Sequence, residues 1–128
     1  MNDSMQDNKK SEKNLWLKTV RLKGSEIHRI RLQGTRFFKD GLTFWALKSD
    51  LGYARMGILV GKKVYPRAVD RNYFKRIQRC YFQKNHQELG SVDLVVAANS
   101  HLKKVKTTEL NSVSGSAWYP FLASLQKD

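Results

Sequence analysis

Between Gly90 and Asn99 the chain runs SVDLVVAA, and from Val92 to Ala98 every residue except Asp93 is apolar. A near-continuous apolar run reads as a strand buried on both faces, the interior strand of a helix-covered sheet. The rest of the chain must therefore supply neighbouring strands and covering helices. Three segments read as strands, about Thr35 to Lys39, Leu42 to Lys48 and Ala54 to Val60, with Asp40-Gly41 a strong hairpin turn between the first two. Asp50 to Gly52 turns the second into the third. At 128 residues the chain has room for one domain with a genuine core.

Helices are expected on either side of these strands. The first has Ser25 as N-cap and Gly34 after its end, with Ile27, Ile30 and Leu32 on its buried side and His28, Arg29 and Arg31 on its polar side. Pro66 sits in the first turn of a second helix, which runs to about Phe82. The stretch from Thr107 to Lys127 is helical in part, with Gly115 and Pro120 arguing against one uninterrupted helix. The first 14 residues are polar apart from methionine and read as disordered, and Leu15, Trp16, Leu17 and Val20 form an apolar segment able to dock that tail. The expected division is therefore a tail over 1–20 and a folded domain over 21–128.

Charge narrows the partner. Lys and Arg number 24 against 11 Asp and Glu, a formal net charge of +13. Self-repulsion of that size is a cost unless a polyanion neutralises it, and nucleic acid is the first candidate. An anionic membrane would ask for an amphipathic lipid-facing helix or a lipid anchor, and neither signal is present. A hydrophobic content of 41% excludes a wholly disordered basic tail. Cys80 is the only cysteine, which excludes an internal disulfide or a cysteine-based zinc cluster and fits a cytoplasmic protein.

The second helix concentrates the charge. At 100° per residue Arg67, Arg71, Lys75 and Arg79 descend one face, extended by Asn72 and Arg76, while Val69, Tyr73, Phe74, Ile77, Cys80 and Tyr81 share the opposite half. Asp70 is the only acid between Arg67 and Arg79. A solvated face ordinarily mixes signs, because like charges four residues apart repel by some tenths of a kcal/mol per pair. Lys62 and Lys63 before this helix and Arg55 on the preceding strand extend the patch, and neutralised phosphates would make binding strongly salt-dependent.

The run RMGILVGKKVYPRAVDRNYFKRIQRCYF, Arg55 to Phe82, resembles the protein subunit of bacterial ribonuclease P, in which a strand ending in a Lys-Lys pair is followed by a helix of the form A-V-x-R-N-x-x-K-R. Here that helix reads AVDRNYFKR. RLKGSEIHRIRLQGTRF resembles the family's first helix, LTFWAL its second strand and SVDLVVAAN its last. The resemblance implies an α+β fold: a single-domain α-β-β-β-α-β-α sandwich on a mixed four-stranded sheet with a left-handed β-α-β crossover. It implies an endoribonuclease whose RNA subunit does the chemistry with bound magnesium, the protein binding that RNA and the 5′ leader of precursor tRNA with no obligatory protein partner.

Carried over by position, Lys62, Lys63, Arg67, Arg71, Asn72, Lys75, Arg76 and Arg79 would contact RNA. Asn72 has the alternative of bracing local backbone. Tyr73 stands where the family often has a third cation. Ile27 and Arg31 stand where it typically offers two phenylalanines to a leader-binding cleft between the first helix and the sheet. Phe37 or Phe38, and Trp45, either supply aromatic surface to that cleft or belong to the core.

No paired carboxylates, histidine metal spacing, nucleophile elbow or phosphate-cradling loop appears, so no catalytic residue and no protein-held metal is assigned. The competing reading is a structural RNA-binding protein of ribosomal or assembly type, for which the basic helix alone would suffice.

Overall fold

The computed structural model describes residues 20–126. The tail, including Leu15, Trp16 and Leu17, lies outside the described residues. Val20, the last of that apolar cluster, is buried and accepts a hydrogen bond from the Met56 amide at 2.8 Å. The elements in order are α1 (Gly24–Gln33), β1 (Thr35–Lys39), β2 (Leu42–Lys48), β3 (Arg55–Leu59), α2 (Ala68–Lys84), a single turn α3 (His86–Leu89), β4 (Val92–Ala98), two 3₁₀ segments (Ser100–Lys104 and Thr107–Glu109) and α4 (Leu110–Leu125).

The strands form one mixed sheet in the order β1-β2-β4-β3, with β4 antiparallel to β2 and parallel to β3. The apolar run Val92–Ala98 is thus an interior strand, as its composition requires. Asp40 and Gly41 both have positive φ (53° and 91°), which matches the right-handed twist of the hairpin and pairs Lys39 with Leu42. The parallel β3–β4 pair is linked through α2.

Two layers cover the sheet. On one face Leu42, Phe44, Met56, Leu94 and Val96 meet α2 and α4, where Phe44 stacks on Phe121 with ring centroids 4.3 Å apart. On the other, Leu22 and Ile30 bury Val95, with Ile27, Trp45, Leu47 and Leu59 half-buried around them. Gly57 lets α1 approach: a Cβ there would sit 2.6 Å from Ile27 Cδ1.

Several local expectations change. Lys23, not Ser25, is the N-cap of α1, because the Glu26 carboxylate reaches back to accept the Lys23 amide at 3.0 Å. Pro66 precedes α2, which starts at Ala68 and continues to Lys84. Leu32, expected on the buried side of α1, is exposed, as are Val69 and Cys80, expected on the core half of α2, where Gln78 is buried instead. The reason is polar satisfaction: Gln78 Oε1 accepts Trp118 Nε1–H at 2.7 Å, and Gln78 Nε2 donates to Ser114 Oγ at 3.0 Å.

The carboxyl-terminal helix is uninterrupted through Gly115 and Pro120. Burial of Leu110, Trp118, Phe121 and Leu122 outweighs the local penalty, and Gly115 lies where a Cβ would meet the Tyr81 hydroxyl at 2.7 Å.

Candidate nucleic-acid interface

The cations of α2 divide between two flanks of the helix. Phe74, Ile77, Gln78 and Phe82 face the sheet and α4, so residues to either side of that stripe sit at its edges. On the flank toward α1 and β3, Lys75 and Arg79 line a groove of about 290 Å³ together with Arg21, Gly24, Ile27 and Gly57. Burial, then the like charges of Arg21 and Arg76, hold the Arg79 guanidinium below its ordinary value. Arginine stays protonated regardless, so this groove keeps a concentrated positive field. Sequence alone does not mark Arg21 as part of the patch. Its single parallel bridge to Met56 places it here, and nothing local announces such a pairing.

On the opposite flank Arg67, Asn72 and Arg76 share a second groove with Val69, Asp70, Tyr73, Thr107 and Thr108. Arg67 Nε lies 3.6 Å from Asp70 Oδ2, an exposed pair of little energetic weight. Lys62 and Lys63 are exposed in the loop between β3 and α2.

Arg71 and Arg55, both expected as contact residues, are engaged in the fold itself. Arg71 Nη1 donates to the carbonyls of Tyr65 at 2.9 Å and Pro66 at 2.8 Å, clamping the loop that enters α2. It, rather than exposed Asn72, braces local backbone. Arg55 belongs to the other face of the sheet. Its Nε and Nη2 donate to the two oxygens of buried Asp93 at 2.9 and 2.8 Å, and its Nη1 donates to Glu26 Oε2 at 2.8 Å. Asp93 raises the Arg55 pKa further, and Arg29 Nη2 stands 3.5 Å from Asp93 as well. Arg55 is therefore separated from the α2 cations and ties α1 to the sheet.

That tie sets a cleft between α1 and the sheet. Ile27 and Arg31 are one turn apart on α1, with Ile27 over Gly57 and the Arg31 guanidinium 5.0 Å from the Trp45 ring centroid. Trp45 is half-buried, leaving part of its ring accessible. Phe38 pairs with Thr43 and so lies on the same sheet face, nearer the hairpin turn. It is 51% exposed and meets His101 edge to face. Phe37 points the other way, into the core against Phe44 and Phe121.

Among the described residues no group of three or more His, Cys, Asp or Glu side chains is placed to hold a metal ion. No helix among them is long and apolar enough to cross a membrane.

These features define a class: a small basic α+β protein with cationic grooves on both flanks of one helix and an aromatic-lined cleft on the far side of its sheet. The family model described as Ribonuclease P matches residues 17–120, and the chain belongs to that family. It is 39% identical over 85 residues to the ribonuclease P protein component of Chromobacterium violaceum, covering 66% of this chain and 68% of that protein. To the corresponding component of Pseudomonas putida strain GB-1 it is 35% identical over 77 residues, 60% of this chain and 58% of that one. The match thus spans less than two thirds of the Pseudomonas relative. Among solved structures, the Staphylococcus aureus RNase P protein superposes with a TM-score of 0.71 at 24% identity, over 81% of this chain and 96% of that one. The Thermotoga maritima RNase P protein, in complex with 1-(4-fluorophenyl)-2-thiourea, gives 0.62 at 24% identity, over 71% and 89%. Both share the fold.

Proposed function

We propose that this chain is the protein component of ribonuclease P, binding a catalytic RNA and the 5′ leader of precursor tRNA so that the leader is removed hydrolytically in the cytoplasm. The observation that carries the reading is the single-sign face of α2. Arg67, Lys75, Arg76 and Arg79 line both of its flanking grooves, with Asp70 the only carboxylate there. Such a surface suits phosphates on two sides of one helix, as a folded RNA would present them. Lys62 and Lys63 extend it at the entry loop. The cleft of Ile27, Arg31, Trp45 and Phe38 suits a single strand, whose bases stack on aromatic and guanidinium planes. Magnesium belongs with the RNA subunit, and the protein's part is to screen charge and position the substrate.

The test mixes purified protein with a bacterial ribonuclease P RNA at low magnesium and follows release of the 5′ leader from precursor tRNA. Release only when both are present is the expected result. Absence of stimulation, with salt-sensitive RNA binding retained, would favour a purely structural RNA-binding protein.

A further inference from the structure

A second cationic surface lies outside both α2 grooves. Lys103, Lys104 and Lys106 are exposed on the segment that follows β4, and no acid occurs from Ser100 to Thr108. Among the described residues none of the three takes part in an ion pair, whereas Arg29, Arg55 and Arg67 all do.

The backbone beneath them is fixed. Leu102 is fully buried, and a Cβ on Gly41 would come within 2.7 Å of its side chain. Asn99 Oδ1 caps the turn by accepting the His101 amide at 3.0 Å, and the Val105 amide closes on the Leu102 carbonyl at 3.0 Å. Charges on a fixed turn lose little backbone entropy when a ligand docks.

Their position matters as much as their sign. Ala98 pairs with Leu42 just after the hairpin turn, and Leu59 pairs with Ala97 just before Lys62 and Lys63, so all these loops leave the same end of the sheet. The segment starts at His101, which meets exposed Phe38 on the cleft face with ring centroids 5.5 Å apart. It ends at Thr107 and Thr108, which line the groove of Arg67, Asn72 and Arg76. The lysines therefore lie between the Phe38–His101 contact, in a groove shared with Val113 and Ser116 of α4, and the far flank of α2.

We propose that Lys103, Lys104 and Lys106 form a second phosphate-binding ridge, holding the backbone of an RNA strand that passes from the Phe38–His101 contact at the hairpin end of the sheet toward Arg67 and Arg76. The proposal rests on reading the chain as an RNA-binding subunit. Phosphodiester recognition is common to two sources, the leader strand and the catalytic RNA.

The experiment compares the full chain with its K103A/K104A/K106A variant, whose melting temperature should be unchanged because all three side chains are exposed. Binding to a bacterial ribonuclease P RNA is measured across a salt series, and affinity of the assembled complex for precursor tRNAs with short and long leaders is measured alongside. Three single-strand phosphate contacts correspond to a flattening of log K against log salt by about 2, and to an affinity loss of about 10-fold or more at moderate salt. Loss confined to long-leader substrates identifies the leader as the strand held, and loss in RNA binding alone identifies the catalytic RNA. Unchanged affinity and slope in both assays, with Arg76→Ala still weakening RNA binding, would overturn the ridge. If the unaltered chain binds RNA but never promotes leader removal, the ribonuclease P reading falls while the RNA-binding arm still decides the ridge.

Discussion

The guanidinium carbon of Arg31 lies 5.0 Å from the centroid of the Trp45 ring, so α1 and β2 meet across the cleft through a cation–π contact. The contact places the Arg31 charge over one face of the Trp45 ring. Under the function proposed above, this guanidinium–indole pair would be the part of the cleft that meets a leader base.

Trp45→Ala should weaken binding of precursor tRNA by the assembled complex about 5- to 100-fold, the range that base stacking on one aromatic commands. Trp45→Phe should retain most of the affinity, and binding to the catalytic RNA alone should not change. Equilibrium binding with long and short leaders separates these effects. Equal losses for all leaders would remove Trp45 from leader recognition.

Buried Asp93 and half-buried Arg55 form a pair whose value lies in keeping both members. Asp93→Ala leaves the Arg55 charge with Glu26 alone and should cost about 1–3 kcal/mol in urea unfolding, less than a fully buried pair because Arg55 is partly exposed. Replacing both residues by Leu and Met should recover much of that loss, since desolvation of the pair largely offsets its attraction. A single variant as stable as the parent would show that α1 is held by apolar contacts alone.

Glu26 predicts an acid limb of stability. The Lys23 amide, and then the Arg55 guanidinium, hold its carboxyl below the ordinary value of 4.5. A carboxylate whose folded pKa is depressed contributes stability above its unfolded pKa and loses that contribution as pH falls through the folded value. The unaltered chain should therefore lose more stability than Glu26→Gln on acidification below pH about 4.5, by a small margin because solvent screens the site. Parallel pH profiles of the two proteins would reject this role.

Much of the architecture was legible because period and punctuation agreed. β1, β2 and β4 follow from alternation, the Asp40-Gly41 turn and the apolar run, and all three fall where the sequence places them. α4 was not legible as one helix. Its Gly115 and Pro120 are unfavourable locally, and only the tertiary burial of Trp118 and Phe121 outweighs them. Gln78 reads as surface until its amide is seen between Trp118 and Ser114. Within the site, the cationic side of α2 was visible by spacing, but its division into two flanks depends on where β3 and α4 pack. Arg55 illustrates the same limit: a cation on a strand next to a basic helix looks continuous with it, yet strand alternation turns the side chain to Asp93 on the other face.

Arg71 and Arg76 separate bracing from binding. Arg76 is exposed on α2, so Arg76→Ala should leave stability unchanged, weaken RNA binding and reduce the salt slope by about 0.7–0.9, the equivalent of one phosphate. Arg71 Nη1 instead carries two backbone carbonyls, those of Tyr65 and Pro66. Arg71→Ala should lower stability by about 1–3 kcal/mol through those unpaired acceptors and weaken RNA binding more than loss of one charge explains. Arg71→Lys preserves the charge and a nitrogen with several donors, but on a shorter reach than Nη1, so it should fall between alanine and arginine in thermal unfolding. If lysine restored both stability and binding in full, Arg71 would act as a charge alone, and the loop before α2 would owe its shape to Pro66.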